Sequence, residues 1–111
     1  MINLTPHAIV VMNEEKVVAT FEASGTTARL INEFSSAQDY FGIPVSVTKV
    51  IGMENVPAAD EMKPFLVSSM VLDALGPEYH GIAFAPDTGP SAVRNAAGHI
   101  VGVTRLRTVA K

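Results

Sequence analysis

Fourteen valines, seven isoleucines and eight threonines stand against six leucines in this chain. Side chains branched at Cβ are stiff in χ1 and fit pleated strands better than helices, so the sequence is constrained towards sheet. Residues 9–12, the polar stretch Asn13-Glu14-Glu15-Lys16 and residues 17–21 read as strand, turn and strand. Residues 27–31 are a third expected strand. Residues 43–51 are a fourth, with Val45, Val47 and Lys49 alternating against Ser46, Thr48 and Val50, and Gly52 ending it. One helix is expected over 68–75, where Ser68 or Ser69 supplies a capping hydroxyl and Gly76-Pro77 a stop.

Residues 64–67 before that helix read as a short strand or extended lead-in, and 82–85 as a buried strand. Two prolines and a glycine make 86–91 a loop. Residues 92–95 and 100–108 read as a closing hairpin around 96–98. Stretches 32–40 and 53–63 lack periodicity and are expected to be irregular. The expected fold class is α+β, mainly antiparallel β-sheet with one short α-helix, in a single domain spanning 1–111.

Composition narrows the function classes. With 48% hydrophobic residues, 111 residues suffice for a core without staples. The absence of cysteine excludes a disulfide framework, a thiolate metal site and a cysteine nucleophile. A net charge of −3 argues against general nucleic-acid binding, which calls for a basic surface. The longest apolar runs, such as Ala8-Ile9-Val10-Val11-Met12, fall far short of the roughly 20 residues of a spanning helix, so no membrane contact is expected. Met1-Ile2-Asn3-Leu4-Thr5-Pro6 lacks the basic patch and long apolar stretch of a signal peptide, which makes the cytoplasm the expected compartment. His7, His80 and His99 form no short-range ligand pair, so neither a metal nor a cofactor is expected.

Four segments carry candidate chemistry. In Leu4-Thr5-Pro6-His7-Ala8, an extended backbone sets Thr5 and His7 on one side, His7 as donor or general base; the structural alternative has Thr5 bonding to nearby backbone. In Ser24-Gly25-Thr26-Thr27-Ala28-Arg29, Gly25 permits positive φ, Ser24 and Thr26 add hydroxyls, and Arg29 offers a bidentate contact to phosphate. A hairpin turn with a surface arginine accounts for it equally. The loop Asp87-Thr88-Gly89-Pro90-Ser91 leads to Arg94, with Asp87 suited to a sugar hydroxyl and Arg94 to an anion, or the two to each other. Ser68 and Ser69 start a helix, where capping and anion contact are both open. Catalytic motifs are thin: there is no paired-carboxylate, Gly-x-Ser-x-Gly or His-Glu-x-x-His pattern.

Asn3-Leu4-Thr5-Pro6-His7-Ala8, Ser24-Gly25-Thr26-Thr27-Ala28-Arg29, Gly42-Ile43-Pro44-Val45, Val67-Ser68-Ser69-Met70-Val71, Pro86-Asp87, Arg94-Asn95 and Gly98-His99-Ile100-Val101-Gly102 occur in that order. Together they resemble a small single-domain family that recurs in bacteriophages and prophages, over nearly the whole chain. By analogy of context, such proteins include metal-free sponges for nucleotide immune signals, commonly oligomeric. The resulting expectation is a phage-type, non-enzymatic anti-defence protein that sequesters a nucleotide-like anion and forms a homo-oligomer. Arg29 and Arg94 would hold phosphate, and Thr5, Ser24, Thr26 and Asp87 would orient sugar or base beside His7. The alternatives are a metal-free phosphodiesterase or nucleotide hydrolase using His7, and a virion or protein-interaction accessory.

Overall fold

A three-residue run with no polar member, Phe65-Leu66-Val67, leaves no face for solvent, and all three side chains are fully buried. The structure, a computed structural model, describes residues 1–111. In chain order the elements are β1 (Ile2–Asn3), β2 (Ile9–Asn13), β3 (Lys16–Phe21), β4 (Arg29–Phe34), β5 (Gln38–Tyr40), β6 (Ile43–Val45) and β7 (Thr48–Glu54). They continue with β8 (Phe65–Leu66), α1 (Ser69–Asp73), β9 (Ala83–Pro86), β10 (Val93–Arg94), β11 (Ile100–Gly102) and β12 (Leu106–Thr108). Single 3-10 turns occupy Ala59–Glu61 and Pro77–Tyr79.

The fold is α+β and dominated by sheet, as the sequence predicts, and most strand pairs are antiparallel. Its central sheet is the exception. The order is β1-β8-β9-β12, with β1–β8 and β8–β9 parallel and β9–β12 antiparallel. Alternation along β8 sends Phe65 and the adjoining Val67 into one cluster with Leu4, Ala28, Val71, Leu72, Leu75, Ile82, Ala83 and Ala85. Leu66 points the other way, against Ile9 and Val103. Helix α1 therefore covers one face and the β2–β3 hairpin the other. Burial of each large member of this core is worth about 1.5–3 kcal/mol.

Gly102 lets β2 reach that second face. A Cβ there would meet the Met12 sulfur at 2.6 Å and the Val10 carbonyl at 3.2 Å. The close approach is fixed by Met12 N donating to the Val103 carbonyl at 2.8 Å and Val103 N to the Val10 carbonyl at 2.9 Å.

Several boundaries differ from expectation. The helix stops at Asp73 because Ala74 N and Leu75 N turn to the carbonyls three residues back, tightening the last turn. The expected closing hairpin is shared between two sheets: β10 pairs with β11, and β12 leaves to pair with β9. The largest correction is at 32–40, which is not irregular. Residues 29–34 pair with 48–54 and residues 38–40 with 43–45, forming a long ribbon with a second hairpin at its tip. The strand expected over 43–51 breaks after Val45 and continues through Gly52 to Glu54. This arm stretches the molecule to 50 × 41 × 28 Å and its radius of gyration to 16.6 Å, against about 13 Å for a compact chain of this length. No helix is long and apolar enough to cross a membrane.

Candidate ligand-binding hollow

The segment after β1 is shaped by one amide side chain. Asn3 is almost fully buried, and its Oδ1 accepts from Thr5 N at 3.0 Å and from Thr5 Oγ1 at 2.7 Å. Its Nδ2 donates to the carbonyls of His7 at 2.9 Å and Phe21 at 2.8 Å. Both lone pairs and both protons of the amide are thereby used, the condition for burying such a group at little cost. The Thr5 hydroxyl has a single proton and two acceptors in reach, Asn3 Oδ1 and the His7 carbonyl at 2.9 Å. The backbone alternative for Thr5 is therefore the observed one: the residue is buried and committed to the turn. His7 is exposed beyond it.

This turn forms one wall of a hollow of about 490 Å³. Thr5, Pro6, His7, Ala8 and Ile9 come from the turn; Ser68, Ser69 and Met70 from the start of α1; Pro86 and Thr88 from the end of β9; and Ile100 from β11. Ser68 Oγ is occupied, accepting from Val71 N at 3.3 Å as the helix cap. The His7 ring and the hydroxyls of Ser69 and Thr88 take no part in side-chain hydrogen bonds within the protein, so they are the polar groups with capacity for a guest. The remaining lining is apolar. A smaller recess of about 140 Å³, also lined by Val10, Val101 and Val103, shares Ala8, Ile9, Pro86, Thr88 and Ile100 with it.

Thr5, His7, Ser68 and Ser69 thus converge, although more than sixty residues separate the two pairs in sequence. Arg29 lines a neighbouring hollow of about 300 Å³ with Leu30, Asn32 and Val71; it shares Ser68 and Met70 with the first. Asp87 sits between two lining residues, but its carboxylate is engaged by the Gly89 amide at 3.1 Å and Arg105 Nε at 2.8 Å. Those contacts, the amide first, hold the Asp87 carboxyl below the usual range.

The remaining candidates lie elsewhere. Gly25 has the expected positive φ, 91°, yet Ser24 Oγ donates to the Thr26 carbonyl and accepts from Thr26 N, so the turn closes on itself in the open. Arg94 donates to the Gly98 carbonyl at 2.9 Å within its own hairpin. Neither Ser24, Thr26 nor Arg94 lines the hollow, and Asp87 pairs with Arg105 instead of Arg94. The candidate residues are thus divided among one hollow, its neighbour and two separate turns, with Asp87 held by Arg105.

Sequence reasoning missed Pro86, Thr88, Met70 and Ile100 as lining. It also missed Asn3 as the organiser, for which a signal existed: an asparagine two residues before a threonine in a proline turn is a frequent side-chain-to-backbone arrangement. Comparison with known proteins yields no family model, no curated protein and no solved structure that matches the chain.

Proposed function

We propose that this chain is a non-enzymatic binder of a small nucleotide-like molecule, seated in the hollow between the Thr5–Ile9 turn, the start of α1 and the end of β9. The observation that carries the reading is the meeting of free polar groups, His7, Ser69 and Thr88, over an apolar floor of Ile9, Met70, Pro86 and Ile100. A flat base suits the floor, sugar hydroxyls suit the polar rim, and the adjoining Arg29 suits a phosphate. Arg94 drops out of the phosphate role, and Ser24 and Thr26 out of the sugar role. By analogy of context with small phage proteins, such a binder would act as a sponge for a nucleotide signal of host defence in the cytoplasm.

Calorimetry against cyclic and linear nucleotides tests this. Binding is expected from at least one, and Arg29→Ala should weaken it about tenfold or more, since a charge-assisted bond to phosphate contributes about 1.5–3 kcal/mol. The ligand should be recovered intact after denaturation. Heat from no nucleotide, or recovery of hydrolysed product, contradicts the reading.

A further inference from the structure

Every residue over 31–51 is exposed, although the stretch carries Ile31, Phe34, Tyr40, Phe41, Ile43, Val45, Val47, Val50 and Ile51. We propose that the β4–β7 arm with its β5–β6 tip is a docking arm for a second copy of this chain.

The register makes the arm two-faced. Leu30 with Met53, Asn32 with Val50, and Phe34 with Thr48 share one face; Arg29 with Glu54, Ile31 with Gly52, and Glu33 with Lys49 share the other. The apolar face runs from the core, where Leu30 packs against the main cluster, out to Phe34, which is 66% exposed. At the tip, Tyr40 lies opposite Ile43 on the same face as Val45. With an aromatic side chain presenting 150–250 Å², the apolar face and the tip, Phe41 included, together expose several hundred Å², close to the roughly 800 Å² per partner of a standard interface. Single-chain proteins rarely leave a patch of that size open.

Phe41 points the same way. It is fully exposed and has φ of 54° in a two-residue turn with Gly42, a position that asparagine or glycine fills without strain. An aromatic held there at backbone expense and in open water is suited to anchor in a partner. The charges favour a copy over a strongly charged partner. Each cation of the arm, Arg29 and Lys49, lies opposite an acid, Glu54 and Glu33, which leaves Asp39, opposite Pro44, as a single unmatched charge, so the ribbon presents no strong single-sign field. A two-fold interface between copies satisfies such a balanced, apolar surface.

Sedimentation equilibrium of the full chain over micromolar concentrations decides. The wild type should form a dimer or larger closed assembly. Phe41→Asn, which suits the turn better while removing the aromatic, and Phe34→Glu should each raise the dissociation constant about 30-fold or more. Both variants should still unfold cooperatively, because the arm lies outside the core. A wild type that stays monomeric overturns the proposal and leaves the ribbon to a different protein; an assembly unmoved by both substitutions also overturns it. Neither residue lines the hollow, so nucleotide titration of the same variants reads ligand binding separately.

Discussion

Replacing Asn3 with alanine removes four hydrogen bonds at one buried point, and the structure sets the size of the loss. Thr5 Oγ1 and the His7 carbonyl can still bond to each other at 2.9 Å, so those two groups are partly compensated. Thr5 N and the Phe21 carbonyl lose their contacts to the amide outright. A buried group deprived of its partner costs about 1–3 kcal/mol, so Asn3→Ala should destabilise by about 2–5 kcal/mol. Against the 5–15 kcal/mol of a typical domain this is a large share, and about 10–30 °C in melting temperature. Asn3→Asp isolates the halves of the network, since it keeps the acceptor bonds to Thr5 and turns a second oxygen towards the carbonyls of His7 and Phe21. Urea unfolding with linear extrapolation gives both values. A loss below about 1 kcal/mol for Asn3→Ala would refute the view that this amide organises the Thr5–Ile9 wall.

Other outcomes follow from single contacts. Glu14 and Glu15 join β2 to β3 with φ of 47° and 69°, so replacing them by Asn-Gly should stabilise the chain by about 1–2 kcal/mol in the same urea assay. By NMR titration, Asp87 should ionise below the usual carboxylate range, and Arg105→Gln should return it only partway, because the Gly89 amide is the larger cause. Its contribution to stability is present above the unfolded value and fades as pH falls through the depressed folded one. Tyr79 donates to the Pro57 carbonyl at 2.8 Å, so Tyr79→Phe should cost about 1 kcal/mol. Burial, then Glu78, raises the phenol of Tyr79, so the wild type should lose stability as pH climbs through the alkaline range, a slope that Tyr79→Phe flattens.

What the sequence reveals depends on whether burial imposes a pattern. The β2–β3 hairpin was legible to within a residue, because apolar runs flank a polar turn. A serine cap at 68 or 69, which is Ser68, and the strand expected over 82–85, which lies at 83–86, were legible for similar reasons. The arm was legible only in part: strands were expected over 27–31 and 43–51, but 32–40 faces solvent on both sides and no core enforces alternation there. The parallel joining of β8 to β9 and of β1 to β8, the latter between residues more than sixty apart, was not legible, because such pairings leave no local mark. The same distance hid the hollow. Thr5, His7, Ser68 and Ser69 stood out as hydroxyl or imidazole donors, but only the β1–β8 pairing puts them side by side.

The most direct test of the ligand reading is a map of backbone amide shifts on titration with a nucleotide. The account predicts perturbations at His7, Ser69, Met70, Thr88 and Ile100, extending to Arg29 where phosphate reaches the neighbouring hollow, with Ser24, Thr26 and Arg94 unmoved. Shifts centred on the Ser24–Thr26 turn or the Arg94 hairpin, with none around the hollow, would contradict it.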